Sequence, residues 1–330
     1  MALQDALSAL ARPVVVLGAG GTISMRGERA TPTLDAAALV ESVPELGAVP
    51  RLSAETCLSL PGAQISLRQA LGLCRRAAEL AASGAGVVIT TGTDTLEELA
   101  VLCAFLHDAE APVILTGANR PASAAGADGP ANLLDAVVVA GSRQSAGLGV
   151  TVCFGGELHG AMTVRKVDST GPAAFGSPAT GPLGRVVEGR VWLGAIPVKP
   201  PRLEPGELSH RVEIVSTGLG DDGGLLADAL ARADGVVLVA LGAGHVAPSL
   251  LRTLQAAPRP VLVTTRVDRS SMLFGTYGFE GDESDVRGTG AVCVPFLSAP
   301  AARIALLCCL GAGLERDEIA SALSPFDAAI

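Results

Sequence analysis

Residues 86–108, GVVITTGTDTLEELAVLCAFLHD, decide how the chain is to be read. GVVIT is a short apolar, β-branched run of the kind that a strand buried on both faces requires. TLEELAVLCAFLHD then places apolar residues at i, i+3 and i+4, the period of a helix. The same succession surrounds it. VVVLG (14–18), PVILTG (112–117) and LGVTVCF (148–154) read as strands, and SLRQALGLCRRAAELAAS (66–83) and GPANLLDAVVVAG (129–141) as helices. Strands alternating with helices predict an α/β fold, a parallel sheet covered on both faces, with ligands beyond the carboxyl ends of its strands.

Residues 197–211, PVKPPRLEPGELSHR, hold four prolines and no hydrophobic period, and read as a linker. The expected organisation is an N-terminal α/β domain over 1–196, the linker, and a smaller α/β domain over 212–330. In the latter, VEIVS, GVVLVAL and PVLVTT are strands, and GGLLADALARA, APSLLRTLQAA and a stretch from about Ala301 to Cys309 are helices.

Bulk composition narrows the function. A chain of 330 residues exceeds what one core usually serves, and 49% hydrophobic with only 17% charged residues predicts sheets buried on both faces or extensive subunit contacts. The net charge of -9 argues against nucleic acid and anionic membranes, leaving a small molecule as the expected partner. The N-terminus lacks a basic stretch and a cleavage site, and the longest apolar candidate, near Ile304 to Leu314, is too short to span a bilayer. The seven cysteines and four histidines have no metal or disulfide spacing, so reduced thiols, a cytoplasmic setting and no metal are expected.

Polar residues gather at the strand ends. In GAGGTISM (18–25), Gly18 and Gly20 begin a dinucleotide turn, but Ile23 occupies the third glycine's place, and no Gly-Lys-Ser/Thr makes a phosphate loop. The glycines instead present Thr22. After GVVIT come Thr91, Thr93, Asp94 and Thr95; Asp94 or Thr95 could cap the helix, and Glu97 and Glu98 suit its first turn, but one cap needs one side chain. After PVILTG, Asp128 with Pro130 reads as a helix cap, whereas Asn119 and Arg120 have no such account. ELHGAMTVRKVDST (157–170) alternates like a strand and carries Lys166, one of two lysines in the chain. A hydroxyl becomes a nucleophile when a neighbour removes its proton, and a desolvated lysine amine can do so, with Asp94 as relay or ligand.

These stretches together resemble a known family. GAGGTIS is similar to the T-G-G-T-I-A signature of bacterial-type L-asparaginases, and VVITTGTDTLEE to their V-I-T-H-G-T-D-T-M-E-E signature. GANRPASAAGADGPANLLDAV resembles the family's G-A-M-R-P-x-x-x-x-x-A-D-G-P-x-N-L-x-x-A-V stretch, and Lys166, GPLG (181–184) and YGF (277–279) follow in order. The resemblance implies an amidohydrolase that cleaves the side-chain amide of asparagine, often of glutamine, through a threonine acyl-enzyme without cofactor or metal. It also implies a homodimer or homotetramer. Matched by position, Thr22 falls on the primary nucleophile, and Thr93, Asp94 and Lys166 on the second threonine and its partners. Gly21, Ala63, Gln64, Gly92 and Ala118 fall on substrate-binding positions. Backbone N–H groups near Gly21 and Thr93 are the expected oxyanion donors.

Several positions depart from the family pattern. Its tyrosine on the loop after the first motif is missing, and RGERATPTLD (26–35) offers Glu28, Arg29, Thr31 and Thr33. Ala63 replaces a serine, Ala247 an asparagine with His245 two residues before it, and a carboxylate is replaced near Ser271. Losing a hydrogen bond to a charged group costs about 1.5–3 kcal/mol, so a different amide, or ligand binding without turnover, stands as an alternative.

Overall fold

The computed structural model describes residues 3–27, 31–269 and 271–327, so Glu28 and Arg29 lie outside the described residues. The chain divides into two compact units, Met1–Arg202 and Leu203–Ile330.

Unit 1 begins with α1 (Leu3–Ser8) and β1 (Val14–Gly20), followed by the short pair β2 (Met25–Arg26) and β3 (Thr31–Pro32). Next come α2 (Ala36–Glu41), β4 (Leu52–Leu60), α3 (Leu67–Ala82), β5 (Gly86–Thr90), α4 (Leu96–Leu106), β6 (Val113–Thr116), α5 (Gly129–Gly141) and β7 (Val150–Phe154). The unit closes with β8 (Glu157–Gly160), a second short pair, β9 (Arg165–Lys166) and β10 (Phe175–Gly176), and the hairpin β11 (Gly184–Val187) and β12 (Arg190–Leu193). Its main sheet has eight strands in the order β12-β11-β8-β7-β6-β5-β1-β4.

The stretch from β4 to β7 is parallel, as the alternation predicts, while β8, β11 and β12 add an antiparallel flank. The residues of β5 are all buried, because helices cover both faces. On one face Val14, Val16, Val88 and Ile114 pack with Leu39 of α2 and Leu133 and Val137 of α5. On the other, α3 and α4 lie together with the thiols of Cys74 and Cys103 in contact. A capping box fixes the start of α3, where Ser66 Oγ accepts from Gln69 N and Gln69 Oε1 accepts from Ser66 N.

Two expectations need correction, and one strand was missed. The segment 157–170 is not one strand: the N–H groups of Thr163 and Val164 both donate to Gly160 O at 3.0 Å, and the chain turns there between β8 and β9. β4 was not legible, since its edge position leaves its residues partly buried or exposed, without the clean alternation of a half-buried strand. Asp128 stands at the cap position of α5 but makes no cap bond. Its carboxylate accepts instead from Asn119 N (3.0 Å), Arg120 N (2.9 Å) and Asn132 Nδ2 (3.3 Å), pinning the loop after β6.

Unit 2 has a parallel sheet in the order β13 (Val212–Ser216), β14 (Gly235–Ala240), β15 (Val261–Thr265) and β16 (Val292–Cys293). Its helices are α6 (Gly224–Arg232), α7 (Pro248–Gln255), α8 (Glu283–Gly288), α9 (Ala299–Gly311) and α10 (Arg316–Leu323). Leu226, Leu230, Val236, Leu238, Leu250 and Val263 form its core. Among the described residues, no helix is long and apolar enough to cross a membrane.

Two stability predictions follow from unit 1. A Cβ on Gly86 would overlap the carbonyl of Ala140 on α5, whereas Gly72, on the exposed side of α3, has open space around it. Gly86→Ala should lose on the order of 3 kcal/mol, and Gly72→Ala should gain about 0.5–1 kcal/mol, read from urea midpoints. His159 on β8 is fully buried, with Nδ1 at 3.2 Å from Ser177 Oγ and Nε2 without a hydrogen-bond partner. Burial pushes its imidazole down from 6.5 to about 4, so between these values the unfolded chain binds the proton more readily. The associated stability is complete above about pH 6.5, falls by up to about 3 kcal/mol as the pH drops to 4, and then levels off. His159→Gln should flatten that slope in pH-dependent thermal melts.

Candidate active site

The site candidates lie where the strand order of unit 1 reverses. The chain leaves β1 for β4 on one side, and α3 then brings it back to β5 on the other. The loops after β1 and β5 therefore diverge to opposite faces and open a crevice between them. Three glycines make that opening tight. A Cβ on Gly21, whose φ is +81°, would overlap the backbone of Thr91 and Gly92. One on Gly92 would lie 2.9 Å from Gly62 N, and one on Gly62 would lie 2.9 Å from Thr95 Oγ1. The ends of β1, β4 and β5 thus pack backbone on backbone, and Thr22 and Thr93 each follow a glycine of that contact.

Thr22 opens a 3-10 turn, Thr22–Ser24, and is half-buried. Ser24 holds the turn by donating Oγ to Gly21 O at 2.8 Å, while Ile23 packs towards Ala118 and Gly129. Ala63 and Gln64 sit exposed in the turn Gly62–Gln64 after β4. Ala118 is fully buried in the core of unit 1 and offers no surface to a ligand. Gly21 N–H donates to Leu60 O at 3.0 Å, so that one group is engaged within the fold. Thr31 and Thr33 follow in the same loop, where Thr33 N donates to Ser24 O at 3.0 Å.

Beyond β5, Thr95 takes the cap position of α4 without a side-chain cap bond, and Asp94 does not cap the helix. Asp94 Oδ1 instead lies 2.6 Å from Lys166 Nζ, whose amine also reaches Thr93 Oγ1 at 2.9 Å. Exposure rises along this row: Thr93 6%, the Lys166 side chain 20%, the Asp94 side chain 75%. A buried hydroxyl is thereby joined to solvent through an amine and a carboxylate. Lys166 is fixed through its main chain as well as its amine. Its backbone N–H donates to Glu97 Oε2 at 2.7 Å, a contact the sequence reading missed because Glu97 looked like an ordinary first-turn acid.

Neighbouring loops are tied to this centre. Asn119 Nδ2 donates to Gly171 O at 2.7 Å, and Arg120 Nη1 to Gly126 O at 3.1 Å. The N–H groups of Thr170 and Gly171 hold the Asp168 carboxyl below its usual range. Asn132, buried on α5, donates to Gly117 O and accepts from Gly155 N, both at 3.0 Å. Among the described residues, no cluster of His, Cys, Asp and Glu could hold a metal ion.

In unit 2, Ala247 is the cap residue of α7, and Ser271 and Tyr277 are exposed. His245 Nε2 lies 3.1 Å from Glu283 Oε2, and the rings of Tyr277 and Phe279 meet the imidazole edge-on at 5.0 and 5.1 Å. Burial alone would raise the Glu283 carboxyl, but backbone N–H donors, including those of Thr276 and Tyr277, together with His245 bring it down to about 2.

Comparison with known proteins agrees with this architecture. The family model "Asparaginase, N-terminal" matches residues 13–198, and "Glutaminase/Asparaginase C-terminal domain" matches 211–323. A probable L-asparaginase of Deinococcus radiodurans is 37% identical over 315 residues, covering 93% of this chain and 95% of that protein. L-asparaginase 2 of Escherichia coli is 30% identical over 313 residues, covering 91% and 89%. The crystal structure of a probable cytoplasmic L-asparaginase from Campylobacter jejuni superposes with a TM-score of 0.83 at 28% identity, covering 95% of this chain and 99% of that one. Two consecutive domain models and relatives matched along nearly their whole lengths leave one assignment: the chain belongs to the asparaginase family and is an asparaginase-type amidohydrolase.

Proposed function

We propose that the chain hydrolyses the side-chain amide of L-asparagine to L-aspartate and ammonia through an ester on Thr22. Thr22 Oγ attacks the amide carbon as its proton passes on to the departing nitrogen, the C–N bond breaks to release ammonia, and water then cleaves the ester to release the acid and restore the hydroxyl. The observation that carries this is the row Thr93, Lys166 and Asp94, with contacts of 2.9 and 2.6 Å. In the hydrogen bonds present, the ammonium form donates to both neighbours. To take a proton from Thr93, the amine first passes one to Asp94, whose exposure gives the proton a way to solvent. With Gly21 N–H engaged by Leu60, the N–H of Thr93 is the oxyanion donor in this scheme. Ala63 and Gln64, exposed beside Gly62, and the backbone of Gly21 and Gly92 would line the substrate's path.

A second reading keeps this chemistry and changes the amide. It is favoured by Ala63 and Ala247, and by the chain's single tyrosine standing at 277 instead of in the 26–35 loop. We further infer a homodimer or homotetramer, supported by the exposed apolar residues Trp192 (60%) and Ile196 (80%). A cytoplasmic setting is supported by cysteines that are buried apart from half-buried Cys57.

Ammonia release from L-asparagine, L-glutamine and larger amides tests both readings. Thr22→Ala, Thr93→Ala and Lys166→Met should each lower kcat by about 10³-fold or more while keeping the parent's circular dichroism. Parental rates in all three variants would refute the mechanism, and an amide turned over far faster than asparagine would establish the second reading. Light scattering behind size exclusion should give a mass of two or four chains; a monomer would contradict the assembly.

A further inference from the structure

Glu97 lies in the first turn of α4 and is only 9% exposed. A first-turn acid that serves only the helix dipole has no need of burial. Glu97 instead directs its carboxylate to β9, where Oε2 accepts the backbone N–H of Lys166 at 2.7 Å. Thr93 and Asp94, in the turn that leads into the same helix, hold the Nζ of that same lysine at 2.9 and 2.6 Å. Lys166 is therefore gripped at both ends, main chain and amine, by one short segment.

The grip has consequences because β9 is weakly defined by its own ladder. It is two residues long and pairs in the structure with the equally short β10, outside the eight-stranded sheet. A lysine on such a strand has a long, rotatable side chain on a backbone with few bonds to fix it. Tying its peptide to the helix that directly follows Thr93 and Asp94 makes amine, hydroxyl and carboxylate parts of one rigid piece. We propose that Glu97 is a positioning residue: its carboxylate sets where the backbone of Lys166 stands relative to α4, and hence the distance from Nζ to Thr93 Oγ1. This rests on the Thr93–Lys166–Asp94 relay proposed above.

Two variants separate reach from charge. Glu97→Gln keeps an oxygen acceptor at the same reach and removes the charge; Glu97→Asp keeps the charge and retracts the acceptor by one methylene. With L-asparagine and the parent's best amide as substrates, Glu97→Gln should keep kcat within about threefold of the parent, and Glu97→Asp should lose about tenfold or more. In both, KM should stay within about twofold, since the substrate is not touched. A purely electrostatic role reverses the order, so Glu97→Asp at or above Glu97→Gln would overturn the inference, as would a rise in KM at constant kcat. Should Glu97→Asp not fold, Glu97→Gln decides alone: near-parental turnover supports positioning, and a tenfold loss refutes it. Parental turnover by Lys166→Met would instead bring down the relay itself, a result distinguishable from failure of Glu97 alone.

Discussion

Close packing of the Gly21, Gly92 and Gly62 backbones is the constraint from which the rest of unit 1 follows. The crevice of a doubly wound sheet opens where successive loops diverge, and side chains would ordinarily fill it. Here no Cβ fits, since one on Gly21 would occupy the space of Gly92, and Gly21 also requires the positive φ that glycine adopts freely. The result is a floor of peptide groups with Thr22 and Thr93 rising from it. Loop ties then fix its surroundings: Asp128 pins residues 119 and 120, and Asn132 links the loops after β6 and β7.

Electrostatics at this floor follow from a gradient of burial. Thr93 is inside, Asp94 is outside, and Lys166 spans them. The row joins an interior hydroxyl to solvent through an amine and a carboxylate, each in hydrogen-bond contact with the next. The family assignment makes the chain an amidohydrolase, and amide hydrolysis needs a proton delivered to the departing nitrogen.

Much of this was legible in the sequence, for identifiable reasons. GVVIT and VVVLG are recognisable because strands covered on both faces must be continuously apolar, and Thr93, Asp94 and Lys166 were noticeable because a single helix cap cannot account for both residues after β5 and a lysine is rare in this chain. β4 escaped because an edge strand with partly buried residues shows no clean period. The turn at 161–164 escaped because the hydrogen bonds to Gly160 O leave no sequence signature in a stretch that keeps alternating. Asp128 deceived because its neighbours, Gly129 and Pro130, are what a helix cap would have, while its partners lie eight and nine residues upstream.

The sequence by itself determined the alternation of strands and helices and the chemical inventory of the strand ends, since hydrophobic period and residue type are local properties. Only the tertiary structure decided what each polar group touches. That Lys166 meets Thr93 and Asp94, 73 and 72 residues away, that Glu97 holds the lysine's peptide, and that Gly21 N–H belongs to Leu60 all depend on which strand ends are neighbours in the sheet. Strand order is set by packing over the whole unit, and no local stretch of sequence contains it.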